Sequence, residues 1–198
     1  TGGQPNADIY NIKCLGSNIC FAAQQDGEFI KTTNGGDNWI QAQPIPYGNL
    51  VSITFISSQT GFVCNNSGKV WKTEDKGKNW NINSTLSFNT HCMYSDSIIG
   101  CFIVGSAGNV LHTTNYGNSW RQISLEGDLN FISFTDQNTG WISGTGGKIY
   151  KTTNDGVSWN EMTIPIVAGE NIFTFDFIRV GNKYYGYLGT DKGKIYRL

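Results

Sequence analysis

Charge, histidine and long apolar runs are all scarce in this chain of 198 residues. Only 15% of the residues are charged and the formal net charge is −1, with the 14 Lys and Arg spread along the sequence rather than gathered in one run. Nucleic acid and anionic membrane partners are therefore not expected, because both need a concentrated basic footprint. No apolar stretch approaches the length that crosses a bilayer, so membrane insertion is not expected either. The chain opens at Thr1 without a basic-then-apolar leader, and any export signal or anchor is expected to have been removed or to lie outside these residues. Amphipathic helical periodicity is missing throughout. The two histidines, His91 and His112, stand in no metal-ligand spacing, no serine sits in a nucleophile elbow, and neither metal nor cofactor is expected.

What the chain has in quantity is glycine, 25 copies, and aromatic residues, 13% of the total. That balance suits many short strands joined by tight turns. An eight-residue turn recurs four times, as Thr32 to Trp39, Thr73 to Trp80, Thr113 to Trp120 and Thr152 to Trp159, with tryptophans 41, 40 and 39 residues apart. A period near 40 with strand-like sequence between the turns signals a radial β array. Aligning on the glycine that opens a third strand, Gly27, Gly68, Gly108, Gly147 and Gly193, reveals a fifth, partial copy.

Each copy reads as four strands. An apolar first strand is expected over Leu50 to Ile56, Leu129 to Phe134 and Ile172 to Val180. The second is marked by a small residue and an aromatic: Cys20-Phe21, Gly61-Phe62, Cys101-Phe102, Gly140-Trp141 and Gly186-Tyr187. The third carries an apolar pair on both faces, Phe29-Ile30, Val70-Trp71, Val110-Leu111, Ile149-Tyr150 and Ile195-Tyr196, as happens when sheets stack. The fourth is expected to begin at the turn tryptophan. The predicted fold is an all-β propeller of about five four-stranded antiparallel blades, one domain over 1–198, with repeats at roughly 8–48, 49–88, 89–127, 128–168 and 169–198. The fifth copy stops at Leu198, so the last blade has three strands, or the protein continues, or a partner strand fills the edge.

In the turn, Asn34, Asp75, Asn115 and Asn154 are suited to accept backbone N–H groups. Gly36, Gly77, Gly117 and Gly156 are suited to positive φ, and Trp39, Trp80, Trp120 and Trp159 to packing beneath. One carboxylate in four copies makes a poor metal loop, so these residues read as structural. The pattern resembles the Asp-box of sialidases, sortilin-type receptors and the photosystem II assembly and stability factor family, with Asn replacing Asp in three of four copies. The longer pattern, from the small-aromatic strand through Thr-Thr-Asn-x-Gly-x-Ser-Trp, looks most like the last family. That resemblance implies a non-enzymatic propeller that helps to assemble a larger complex.

The sialidase alternative implies an arginine triad, a Tyr-Glu nucleophile pair and six blades. This chain has only Arg121, Arg179 and Arg197 and too few blades, so no catalytic residue is assigned.

Five cysteines are present. Cys14 and Cys20, and Cys92 and Cys101, flank first hairpins where facing strands bring Cα atoms within disulfide range, while Cys64 is left over. Two intra-hairpin disulfides in an oxidising compartment stand against buried reduced thiols. Relatives within the resembling family carry a Cys pair at this hairpin, which implies the former and an extracellular, cell-surface or periplasmic location. Asn65-Asn-Ser67 and Asn83-Ser-Thr85 are glycosylation sequons in a secreted eukaryotic chain.

Propellers bind on the face that carries the blade connectors and the loops between second and third strands. Tyr47, His91, Glu126, Glu170 and Asp191 are the candidate contact residues there. The basic residues Lys31, Lys72, His112, Lys151 and Arg197 form either an anion-binding collar or a set of local ion pairs and aromatic covers. A protein partner is the expected ligand, with a glycan as the alternative. Loops such as Asn65-Asn-Ser67 and Gly144-Thr-Gly146 differ between copies, which argues against a repeated sugar site.

Overall fold

A computed structural model describes residues 8–43, 45, 46, 48–162, 169–181 and 183–197. Five antiparallel meanders follow one another. Blade 1 is β1 (Ile9–Cys14), β2 (Cys20–Gln24), β3 (Phe29–Thr32) and β4 (Ile40–Gln41). Blade 2 is β5 (Leu50–Phe55), β6 (Gly61–Asn65), β7 (Lys69–Thr73) and β8 (Asn81–Thr85). Blade 3 is β9 (Thr90–Asp96), β10 (Gly100–Gly105), β11 (Asn109–Thr113) and β12 (Arg121–Ser124). Blade 4 is β13 (Leu129–Phe134), β14 (Gly140–Gly144), β15 (Ile149–Thr152) and β16 (Asn160–Glu161). Blade 5 has three strands, β17 (Ile172–Val180), β18 (Lys183–Thr190) and β19 (Ile195–Arg197). The fourth strands start one residue after the expected tryptophan, and in blades 2, 3 and 4 that side chain turns away to pack on the preceding blade.

The hydrophobic core lies between blades rather than within them. Alternation along each strand sends one set of side chains to the preceding blade and the other to the following one. Phe21, Ala23 and Phe29 of blade 1 meet Ile53, Phe55, Val63, Trp71 and Trp80 of blade 2. Phe62, Cys64 and Val70 meet Met93, Cys101, Ile103 and Leu111 across the next interface. Phe102, Val104 and Val110 meet Ile132, Ile142, Tyr150 and Trp159 across the third. Trp141 and Ile149 meet Phe175 and Leu188 across the fourth. A buried Phe or Trp contributes roughly 2–3 kcal/mol by leaving water.

The Asp-box corner is the fitted part of each interface. A Cβ on Gly77 would lie 2.6 Å from the Phe21 ring, on Gly117 2.7 Å from Phe62, and on Gly156 2.5 Å from Phe102. Each glycine thus rests against the second-strand aromatic of the preceding blade, and the corner tryptophan meets that ring edge-on in Phe21–Trp80, Phe62–Trp120 and Phe102–Trp159. The same glycines hold φ of +74° to +77°, open to glycine at least cost.

Every first strand carries a one-residue bulge where it leaves the connector, at Tyr10, Val51, His91, Asn130 and Phe173. Such a bulge re-aims a side chain. His91 Nδ1 donates to the Leu129 carbonyl at 2.9 Å, and Asn130 Nδ2 to the Ile172 carbonyl at 3.0 Å, each tying its blade to the next. A parallel set of ties runs from Ile53 N to Asn11 Oδ1 and from Met93 N to Ser52 Oγ.

One expected disulfide is present and the other is not. Cys14 and Cys20 face each other directly across β1–β2, and their sulfurs are joined at 2.02 Å. Cys92 lies opposite Val104, and Cys101 opposite Ser95. The two therefore sit three rungs apart, and their side chains enter opposite blade interfaces, Cys92 toward blade 4 and Cys101 toward blade 2. Cys64, Cys92 and Cys101 are buried thiols, and burial pushes Cys64 up to about 12 and Cys92 up to about 11. Thiol titration of the unfolded, unreduced chain should count three free groups, rising to five after reduction, and the native chain should react with none of the three. A count of one without reductant would contradict the β9–β10 register.

Candidate functional site

The Asp-box corners line one face of the propeller. In each, the threonine hydroxyl accepts the N–H groups of the second and fourth following residues, as Thr73 Oγ1 does from Asp75 at 3.3 Å and Gly77 at 2.9 Å. It donates in turn to the Asn or Asp, at 2.8 Å to Asn34 and Asp75 and 2.9 Å to Asn115 and Asn154. Asn34, Asp75, Asn115 and Asn154 then accept the N–H of residues Asn38, Asn79, Ser119 and Ser158 at 2.9–3.0 Å.

In three of the corners the Asp or Asn also bonds the side chain four residues on. The Asp75 carboxylate accepts from Asn79 Nδ2 at 2.7 Å, whereas Asn115 and Asn154 donate Nδ2 to the hydroxyls of Ser119 and Ser158. Bonds from the Asn79 backbone and side chain hold Asp75 at about 2, below the usual carboxylate range. With these lone pairs already engaged by the turn itself, the corners are built as clasps.

Four of the five basic positions on the third strands, all but Lys31, are likewise engaged locally. Lys72 pairs with Glu74 at 2.8 Å, Lys151 lies 4.7 Å over the Trp141 ring, and Arg197 sits 5.3 Å over Tyr185. His112 stacks on Phe102 with centroids 3.9 Å apart and donates Nε2–H to the Ile99 carbonyl at 2.7 Å. Burial holds it below the ordinary imidazole range. These contacts favour local pairing over a collar.

The opposite face carries the connectors and the loops between second and third strands, and it is braced by side chains reaching between blades. Asp128 Oδ1 accepts the Ala107 N–H at 2.8 Å, and Asn171 Oδ1 accepts that of Gly146 at 3.1 Å, each clamping the tight turn of the preceding blade. The equivalent position, just before the first strand, holds Asp or Asn in every copy: Asp8, Asn49, Asn89, Asp128 and Asn171. Its backbone carbonyl accepts from the loop of its own blade, through Gln25, Asn66, Ser106, Thr145 and Asp191. This forty-residue Asx period was legible in the sequence but lay outside the turn motif.

The candidate contact residues divide by what they touch. Tyr47 lies outside the described residues. His91 is the half-buried blade tie described above. Glu170 is only 3% exposed, and its carboxylate accepts from Thr190 at 2.9 Å, Lys194 at 2.5 Å and Tyr196 at 3.1 Å. Lys194 holds its pKa below the ordinary range, so Glu170 is a buttress of blade 5. Asp191 accepts the Asn171 N–H at 3.1 Å and its Nδ2 at 3.0 Å, at the rim. Glu126 projects into solvent and shares Lys148 with Glu161, at 3.1 and 2.9 Å. Glu126, Asp128 and Asp191 thus form a polar rim over blades 3 to 5.

Along the axis, Asn11, Lys13, Thr54, Tyr94 and Ser133 line a space of about 180 Å³. That is below the roughly 300–1,000 Å³ of small-molecule pockets. Among the described residues no group of three or more His, Cys, Asp or Glu is placed to hold a metal ion, and no helix is long and apolar enough to cross a membrane.

The family model described as photosynthesis system II assembly factor YCF48 matches residues 37–131, just under half of the chain. No curated protein matches significantly. YCF48 from Cyanidioschyzon merolae has the same fold, with a TM-score of 0.71 at 15% identity over 98% of this chain and 70% of that one. YCF48 bound to D1 peptide superposes with a TM-score of 0.50 at 16% identity, over 97% of this chain and 78% of that one. The GH74 enzyme of Niastella koreensis gives 0.66 at 21% identity, over 90% of this chain and only 28% of the enzyme. The chain therefore carries Asp-box propeller repeats that resemble those of the assembly-factor family. Likeness to 534 solved chains specifies the fold and leaves function to the site.

The Asp75 clasp generates a pH prediction. Its pKa is lowered in the fold, so its contribution is full above about 4 and is lost as pH falls toward about 2. Asp75→Asn should cost about 0.5–1 kcal/mol at pH 7, exposure keeping the loss small, and should flatten the dependence of urea stability between pH 4 and pH 2. An unchanged acid slope would show that the clasp carries no linkage.

Proposed function

We propose that this propeller is a non-enzymatic binding module, exported or surface-exposed, that presents its connector face to a polypeptide partner within a larger assembly. The observation that carries the reading is the bracing of that face. Connector side chains of blades 4 and 5 clamp the turn of the preceding blade, and Lys148 and Lys194 fix neighbouring carboxylates, so the rim is ordered before anything binds. A preorganised surface loses less freedom on association.

Three further findings support it. YCF48, which shares the fold, is known bound to D1 peptide, an instance of a propeller of this shape holding polypeptide. Both histidines are engaged by backbone carbonyls inside the fold. The Cys14–Cys20 disulfide fits an oxidising compartment.

Affinity capture from the native source, run beside a glycan array, tests the proposal. A stoichiometric protein partner is expected, with Glu126→Lys and Asp128→Lys together weakening its binding about tenfold, the scale of one or two rim charges. Glu74→Lys on the Asp-box face should leave binding unchanged. Strong glycan signals without a protein partner would replace this reading with a lectin.

A further inference from the structure

The Asp-box corner of blade 1 differs chemically from the other three. It holds the only Asn-Gly pair in the chain, Asn34-Gly35, where the equivalent residues are Asp75-Lys76, Asn115-Tyr116 and Asn154-Asp155. An asparagine followed by glycine is especially prone to lose its side-chain amide, because no Cβ hinders the backbone nitrogen that attacks it. Asn34 is exposed, and so are Asn115 and Asn154 in interior blades. Its access to water is therefore a property of the corner and not of the blade's place in the array.

The corner itself suits the product of that loss. Thr32 Oγ1 donates to Asn34 Oδ1 at 2.8 Å and the Asn38 N–H donates to the same atom at 3.0 Å, the two bonds that Thr73 and Asn79 make to Asp75 Oδ1 at 2.8 and 2.9 Å. Blades 1 and 2 also share an asparagine four residues on, Asn38 and Asn79. Asn79 Nδ2 donates to the second carboxylate oxygen of Asp75 at 2.7 Å, whereas no bond joins the side chains of Asn34 and Asn38. Exchanging the Asn34 amide nitrogen for an oxygen offers Asn38 a charged acceptor with almost no change of shape.

We propose that Asn34 is a site of spontaneous deamidation whose aspartate product gives blade 1 the carboxylate clasp of blade 2. The Gly35 backbone nitrogen attacks Asn34 Cγ, closing a succinimide ring, and its proton leaves with the side-chain amide as ammonia. Water then opens the ring. Cleavage of the C–N bond at the side-chain carbonyl gives aspartate, and cleavage at the backbone carbonyl gives isoaspartate, which inserts a methylene into the main chain and pulls Gly35 away from its bonds. The folded corner accepts the first product and not the second. It also restrains the attack, because the Gly35 N–H is held by the Asn18 carbonyl at 3.0 Å and Asn34 Oδ1 by its two donors, so reaction follows local opening.

Peptide mass analysis of the 198-residue chain, aged in mildly alkaline buffer with and without urea, tests this. The peptide carrying Asn34 should gain one mass unit about tenfold faster than those carrying Asn115 and Asn154, since glycine alone leaves the attack unhindered. Urea should speed the gain about tenfold or more by releasing Gly35. Gly35→Lys copies the blade 2 corner and should slow the gain about tenfold. That variant should fold, because Lys76 holds a φ of +64° at the equivalent position and a Cβ on Gly35 would meet the Ser17 carbonyl oxygen at 3.4 Å, an ordinary contact.

Asn34→Asp reproduces the product directly. It should raise the melting temperature at pH 7 and lose that gain between about pH 4 and pH 2, as a carboxylate held below its usual range does. An equal or lower melting temperature at pH 7 would overturn the proposal. So would an Asn34 peptide that gains mass no faster than the Asn115 and Asn154 peptides, or one that gains it as fast in the native chain as in urea.

Discussion

Each interior blade is seated by a glycine lying against an aromatic ring of the blade before it. Gly77 on Phe21, Gly117 on Phe62 and Gly156 on Phe102 leave no room for a side chain, and the tryptophan three residues on closes against the same ring. The threonine and Asn or Asp of the corner exist to hold that glycine in place. The side-chain bonds of that threonine and Asn or Asp are internal to the turn, while the corner meets the blade before it by packing and by bonds such as Asn83 Nδ2 to the Gly117 carbonyl and Arg121 to the Gly156 carbonyl. Because the core lies between blades, no blade has a core of its own, and stability is a property of neighbours.

The same constraint separates the two faces of the propeller. The Asp-box face spends its polar groups closing its own turns, which leaves little to recognise a ligand. The connector face spends its groups bracing one blade against the next through Asp128, Asn171 and the bulged His91 and Asn130, and still leaves Glu126 and Asp191 at the rim. Recognition on such a face rests on shape and on a few charges held still, which is the economy of a scaffold.

Much of this was written in the sequence as period. The turn motif located the corners, and the aligned glycines gave five units and a short last blade. What period could not convey was register and sidedness. Cys92 and Cys101 flank a hairpin as Cys14 and Cys20 do, but the longer β9–β10 pairing sets them three rungs apart on opposite faces. Glu170 reads as a loop carboxylate until blade 5 brings Thr190, Lys194 and Tyr196 around it. Tyr187 and Ile12 are aromatic and apolar like their counterparts in the other repeats, and only the arrangement of blades shows that they are exposed.

A double-mutant cycle between Phe62 and Gly117 tests the central claim most directly. Gly117→Ala alone should cost about 2–4 kcal/mol in denaturant unfolding, from its positive φ and from the methyl driven into the ring. In a Phe62→Ala background the methyl has space, and the same change should cost less by about 1 kcal/mol or more, a coupling outside the scatter of independent sites. Additivity to within about 0.5 kcal/mol would mean that the corner does not bear on the ring, and the account of how the blades are joined would fail.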